Sequence, residues 1–173
     1  MKKNLSYLGL IVLGSVARIL PHPPNFTPTG ALAFFSGNKI ANRLIALAIP
    51  LGILITSDLI KGWHATMPFV YGSFAVTVML GKLFSQSTRS RFAGLLLSSV
   101  IFFVVTNFGT WLVDGMYPHT LAGLGICYAA AIPFFRNELA ATLFYGSAFF
   151  ALAALLEKSF RLEEAPTTAA IRS

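Results

Sequence analysis

Residues 92–113, FAGLLLSSVIFFVVTNFGTWLV, contain no Asp, Glu, Lys or Arg. A stretch of that kind belongs either in a large protein core or in a bilayer, which takes about 20 mostly apolar residues to cross as a helix. The rest of the chain decides between the two. Further apolar runs lie at about 5–20, 29–37, 41–60, 67–84, 120–135 and 137–156. With 55% hydrophobic and only 11% charged residues in 173, against about 25% charged in soluble domains, one soluble core could not hide so much apolar surface. The chain reads as an integral membrane protein. Its runs are long and unbroken, so they read as helices and not as the alternating strands of a barrel.

Two runs are ambiguous. At 1.5 Å per residue, residues 29–37 make about 14 Å of helix, too short to cross unaided. Residues 120–135 hold Gly123, Gly125 and Pro133 and end in PFFRN, which fits either a span or a helix lying in a loop. Lysine and arginine placement arbitrates, because cytoplasmic connections are enriched in them. With spans beginning near 5, 29, 41, 67, 92 and 137, only Arg18, Lys61 and Arg136 of the 13 basic residues fall on the outer side. A seventh span at 120–135 would weaken that bias. The expected fold is all-α: a polytopic bundle of six transmembrane helices with a short loop helix before the last span. It forms one domain over residues 1–157, with a polar cytoplasmic tail at 158–173 and both termini cytoplasmic. Lys2 and Lys3 followed by Ser15-Val16-Ala17 also fit a signal peptide. Cleavage there would leave Arg18 as a new terminus and the remaining runs without their charge logic, so an uncleaved first span is preferred.

This topology gathers the unusual polar residues on one face. The stretch ARILPHPPNFTPTG sets a cation and a proline-rich loop together in an apolar surrounding. An arginine at the bilayer centre costs about 2.5–3.5 kcal/mol on insertion scales. One turn from a helix end, its stem can stay among apolar groups while the guanidinium reaches polar ones. The prolines fix φ and remove donors, so PHPPNFTP can be neither helix nor sheet centre. Irregular backbone near a membrane is tolerated at the water interface or lining a cavity. Arg18 and this loop therefore read as one wall of an outward-facing pocket.

The candidate binding residues follow from that geography. Arg18 and Asn107 are expected to hold a polar or anionic group, and Trp63, Trp111 and Tyr117 to give stacking surface. Asp58 would orient Arg18 or accept a ligand donor. His22, Asn25, His64 and His119 complete the set from the outer connections. Blander readings stay open: Arg18 can snorkel, and Asp58 can pair with Lys61 one turn later. Thr106, Asn107 and Trp111 can serve as interhelical glue and an interfacial anchor.

Other chemistries have less footing. The three histidines sit in separate connections with no H-x-x-x-H or H-E-x-x-H spacing, so no metal and no other cofactor is expected. No G-x-S-x-G elbow, P-loop or paired-carboxylate motif is present, and Cys127 has no obvious base beside it, so no catalytic residue is assigned. The net charge of +7 is topological here, with no basic patch interleaved with stacking aromatics, and nucleic acid is not an expected partner.

The strings ARILPHPPNFTPTGALAFFSG, SDLIKGWHATMPFVYGSF, FFVVTNFGTWL, MYPHTLAGLGICYAAAIPFFRN and LFYG resemble a family of bacterial integral membrane proteins that is a domain of unknown function. A more distant similarity concerns order: an amphipathic first span, a proline-rich loop with a short helix, SDLI ending the third span, then IPFFRNELAATLF. That order resembles the substrate-binding S components of energy-coupling-factor (ECF) vitamin transporters. The resemblance implies six helices, both termini inside, and a vitamin or metal-ion pocket closed by the loops around Pro21–Thr29, Lys61–Thr66 and Asp114–Arg136. It also implies partners beyond the lipid bilayer, namely a small-molecule ligand and an energising transmembrane subunit with ATPases. The expected function is thus capture and transport of a small molecule in the bacterial cytoplasmic membrane. The alternatives are a structural or assembly membrane protein, and an intramembrane enzyme.

Overall fold

A computed structural model describes the backbone of residues 2–169 and the side chains of residues 9–158. Among the described residues the fold is all-helical: α1 (Lys2–Ile19), α2 (Thr29–Lys39), α3 (Arg43–Lys61), α4 (Met67–Leu83), α5 (Thr88–Val113) and α6 (Leu121–Ala169). Local signals set several of these starts. The Asn42 side chain accepts the N–H groups of Leu44 and Ile45, and Ser87 accepts that of Ser90, which satisfies donors that a helix start leaves free. Pro68 falls in the first turn of α4, where its missing N–H costs nothing.

Successive helices reverse direction. At one end of the bundle Arg18 of α1 meets Ser57 and Asp58 near the end of α3. At the other end Lys39 of α2 bonds Glu157 of α6 at 2.8 Å. The connections 20–28, 62–66 and 114–120 therefore share the Arg18 end, and 40–42 and 84–87 share the Lys39 end.

The shortest helix is the centre. α2 has 11 residues yet packs against all five other helices. Ala31, Ala33 and Phe34 are fully buried. Two glycines allow its close approach to α4. A Cβ on Gly37 would lie 1.9 Å from the Val78 carbonyl oxygen, and one on Gly81 would lie 2.1 Å from that of Phe34. Backbone meets backbone here, as at small-residue interfaces between membrane helices.

Burial is inverted relative to a soluble protein. Ser15, Ser36, Ser57, Ser73, Thr77, Ser98 and Thr142 are buried, while Leu13, Leu44, Leu59, Met79, Leu83, Phe144 and Leu155 are more than half exposed. Large apolar side chains facing outward and hydroxyls facing inward is the arrangement expected when the solvent is hydrocarbon. Each inward hydroxyl needs an acceptor, and most return to a carbonyl one turn back, as Ser73 does to Phe69 and Thr77 to Ser73. Ser36 has a further task. Pro50 has no N–H, so the Ala46 carbonyl loses its usual helical donor, and the Ser36 hydroxyl lies 2.9 Å from it across the α2–α3 interface.

Three segments are long and apolar enough to cross a membrane: Arg43–Lys61, Thr88–Val113 and Leu121–Lys158. Gly9–Ile19 and Met67–Leu83 are apolar but shorter. Helix length thus supports three spans and not the six expected from the sequence, most clearly because α2 covers only about 16 Å. The separate loop helix at 120–135 is also corrected, since α6 runs unbroken from Leu121 through Pro133. Breaking a helix in lipid would expose more unpaired backbone than one missing N–H does, so the proline is absorbed. The backbone of α6 continues helical past residue 158 to Ala169, and residues 170–173 lie outside the described part.

Candidate functional site

The loop between α1 and α2 returns into the bundle. Asn25 takes the left-handed conformation (φ 61°), which asparagine tolerates better than most residues. The Asn137 amide of α6 donates to the Pro24 carbonyl at 3.0 Å, and Phe26 packs on Tyr145 with centroids 5.9 Å apart. Pinned this way, the loop delivers Thr29 and Gly30 fully buried. Gly30 lines the same cavity as Phe74, which lies seven positions or about 10 Å into α4. Irregular backbone at that depth needs a polar lining beside it.

That lining is a cavity of two adjoining lobes. The first, about 120 Å³, is walled by Arg18, His22, Asn25, Thr27, Gly30 and Lys61, with Phe74, Phe102 and Glu138 at its inner side. The second, about 190 Å³, lies between α4, α5 and α6. Thr66, Thr106, Asn107 and Thr110 stand on one part of its wall, and Val70, Phe103, Phe134 and Phe135 on another. Asn25, Phe102 and Glu138 belong to both lobes. The exposed Asn25 and Lys61 place the mouth at the Arg18 end.

A charge network backs the first lobe. Arg18 donates through Nε to Ser57 Oγ at 2.8 Å, and its Nη2 lies 3.8 Å from Asp58 Oδ1. Asp58, whose side chain is 3% exposed, also accepts from Ser57 at 3.1 Å and from the Tyr71 hydroxyl at 3.0 Å. Its two oxygens thus have three partners, as a buried carboxylate requires. Lys61 does not form the local pair with Asp58. It reaches across to the Arg18 carbonyl, at the C-terminus of α1 where a cation suits the free carbonyls. The His22 ring nitrogens face that same carbonyl at 3.1 Å and the Pro23 carbonyl at 2.8 Å.

Glu138 is the residue the sequence reading left out of the site. It is 9% exposed, and its Oε1 accepts from Thr142 at 2.8 Å. Its Oε2 is buried without a hydrogen bond of ordinary length, and the nearby group that could donate to it is the buried, otherwise unpartnered hydroxyl of Ser99. Gly30 makes room for this carboxylate, since a Cβ there would lie 2.6 Å from Thr142 Oγ1 and 3.2 Å from Glu138 Oε1. The available signal was a lone acid inside the apolar run IPFFRNELAATLF, which the expected loop helix at 120–135 put at the start of the last span.

Of the ten candidate residues, Arg18, His22, Asn25 and Asn107 line the cavity, and Asp58 stands directly behind Arg18. Asn107 donates its amide to Phe103 one turn back at 2.8 Å, which leaves its side-chain oxygen for the cavity. Five others stand outside these walls. Trp63 is 72% exposed, and His64 bonds Thr66 at 2.7 Å in the α3–α4 connection. Trp111 donates to the Pro118 carbonyl at 3.0 Å and packs edge-on to His119, so this pair caps the α5–α6 turn. Tyr117 lies in the same turn, half-buried. The aromatic part of the cavity wall is instead Phe102, Phe103 and Phe135, which the sequence reading did not single out. Among the described residues, no group of three or more His, Cys, Asp or Glu could hold a metal ion.

The chain belongs to a family of unknown function (DUF6580), whose family model matches residues 1–167. No curated protein and no solved structure matches it. The expected membership of a family of unknown function is met, whereas nothing in these comparisons ties the chain to ECF S components.

Proposed function

We propose that this member of the DUF6580 family is an integral membrane protein that captures a small polar molecule in the two-lobed cavity, for transport or delivery across a bacterial cytoplasmic membrane. The observation that carries this reading is the cavity itself: Arg18, His22 and Lys61 face it from one lobe and Asn107 from the other. A purely structural membrane protein would close the space beside these polar groups, whereas here they bond internally and still border an open cavity. Few natural pockets are smaller than about 300 Å³, so lobes of about 120 and 190 Å³ suit a ligand no larger than a vitamin or an amino acid.

The membrane topology is part of the proposal. With helices alternating in direction, both described ends of the chain are proposed to lie on the Lys39 side, taken as cytoplasmic because Lys39, Arg43, Lys82, Arg89, Arg91 and Lys158 are assigned there. The cavity then opens outward. α1 and α4 cross with the three long helices, and α2 crosses only half the bilayer, the proline-rich loop supplying the remainder. The partner class proposed for such a binder is an energising subunit with ATPases, tested by co-purification.

The test is ligand-induced thermal stabilisation of the purified protein across vitamins, cofactor precursors, amino acids and divalent metals. A hit is expected to weaken at least tenfold in both Lys61→Ala and Asn107→Ala, one from each lobe. Unchanged affinity in both variants would overturn the site.

A further inference from the structure

Glu138 carries an unmet requirement. A carboxylate about nine-tenths buried, with only the neutral hydroxyls of Thr142 and Ser99 beside it and no ion-pair partner among the described residues, needs a proton or a cation. The protein's own cations nearby are committed elsewhere, Arg18 to Ser57 and Asp58 and Lys61 to the Arg18 carbonyl. Both nevertheless line the lobe that Glu138 lines. With Arg18 and Asp58 offsetting each other, one positive charge (Lys61) and one negative charge (Glu138) remain on the wall of a single cavity. A simple anion would satisfy the first and be repelled by the second. A dipolar molecule satisfies both and adds no net charge.

Resting on the proposed capture function, we propose that the ligand is a small zwitterion of the amino-acid class, its ammonium read by Glu138 and its carboxylate held on the Arg18–Lys61 wall. An apolar or aromatic substituent occupies the second lobe between Phe103, Phe134, Phe135 and Val70. Gly30 is part of the same device, because any side chain there would press on the Thr142–Glu138 pair and displace the carboxylate.

The test uses the full-length protein in detergent or nanodiscs. Stabilisation and affinity are measured for L-phenylalanine and L-leucine, for the des-amino analogues 3-phenylpropanoate and 4-methylpentanoate, and for the des-carboxy analogues 2-phenylethylamine and isopentylamine. The amino acids are expected to bind at least tenfold more tightly than either analogue. Glu138→Gln is isosteric and is expected to cost the amino acids roughly 30-fold or more, the usual scale for truncating a buried charge pair. The same variant leaves the des-amino acids unchanged or improved, and Glu138→Asp is expected to recover part of the loss. If the des-amino acids bind as tightly as the amino acids, the capture reading stands and the zwitterion proposal falls. Equal binding of the amino acids to wild type and Glu138→Gln also overturns it, because Glu138 is then protonated and reads no cation. If neither these probes nor the wider panel binds, both readings fall.

Discussion

The two lobes share a wall but are built from different materials. The first is made of groups that hydrocarbon rejects: Arg18, His22, Lys61 and the buried Asp58 behind them. Each must be satisfied or folding is penalised, so their hydrogen bonds are closely fixed. The second is made mostly of phenylalanines and threonines, which a membrane protein can place almost anywhere. The first lobe therefore has little freedom of sequence and great sensitivity to change, whereas the second can vary in shape without loss of the fold. In a ligand-binding protein, the rigid lobe fixes the polar end of the ligand and the tolerant lobe sets the size of its apolar end.

The largest expected effect comes from breaking the rigid lobe. Arg18→Ala strands the Asp58 charge and is expected to destabilise the protein by about 3–5 kcal/mol, read by unfolding in a fixed detergent. Adding Asp58→Asn should restore much of that stability, because no buried charge is then left unpaired. A double variant no more stable than the single one would show that the pair is not a coupled unit. Gly30→Val acts in the first lobe beside Glu138, which both lobes share, and is expected to cost about 1–3 kcal/mol through overpacking. It should weaken ligand binding more than it weakens the fold, since Thr142 and Glu138 are displaced into the cavity.

Smaller effects should mark the tolerant lobe. Phe103→Leu loses contacts with Phe135 and Tyr128, whose rings lie 4.7 and 5.4 Å away. It is expected to cost about 1 kcal/mol and to shift preference toward bulkier apolar groups, measured as an affinity ratio between leucine and phenylalanine. Trp63→Ala is expected to stay within about 0.5 kcal/mol of wild type, as surface substitutions usually do, with binding unchanged. A loss of binding there would bring the α3–α4 connection back into the site.

The same contrast explains what could be read from the sequence. Helix positions were legible because apolar runs in lipid have one backbone solution, and α2 through α5 begin and end near the expected residues. The first lobe was legible because polar groups stand out in such runs, and the Arg18–Asp58 pair was one of two readings open. The second lobe was hidden, since Phe102 and Phe135 look the same whether they face lipid or a cavity. Trp63, Trp111 and His119 misled for the opposite reason: they are conspicuous in sequence yet sit at connections. Glu138 was missed because a separate loop helix at 120–135 put it at a span boundary, whereas the helix passes through Pro133. The central burial of α2 was not legible either, because it depends on Gly37 meeting Val78 and Gly81 meeting Phe34 across forty-odd residues of chain.

The account stands on one geometric claim, that the two lobes open to the same compartment. With Cys127 replaced by alanine, single cysteines at Asn25, Asn107, Glu138 and Lys39 can be exposed to a membrane-impermeant thiol reagent in vesicles of known orientation. The first three are expected to react from one side and the Lys39 position only from the other. Reaction of the Asn107 or Glu138 position from the Lys39 side, or of neither from any side, would contradict the account.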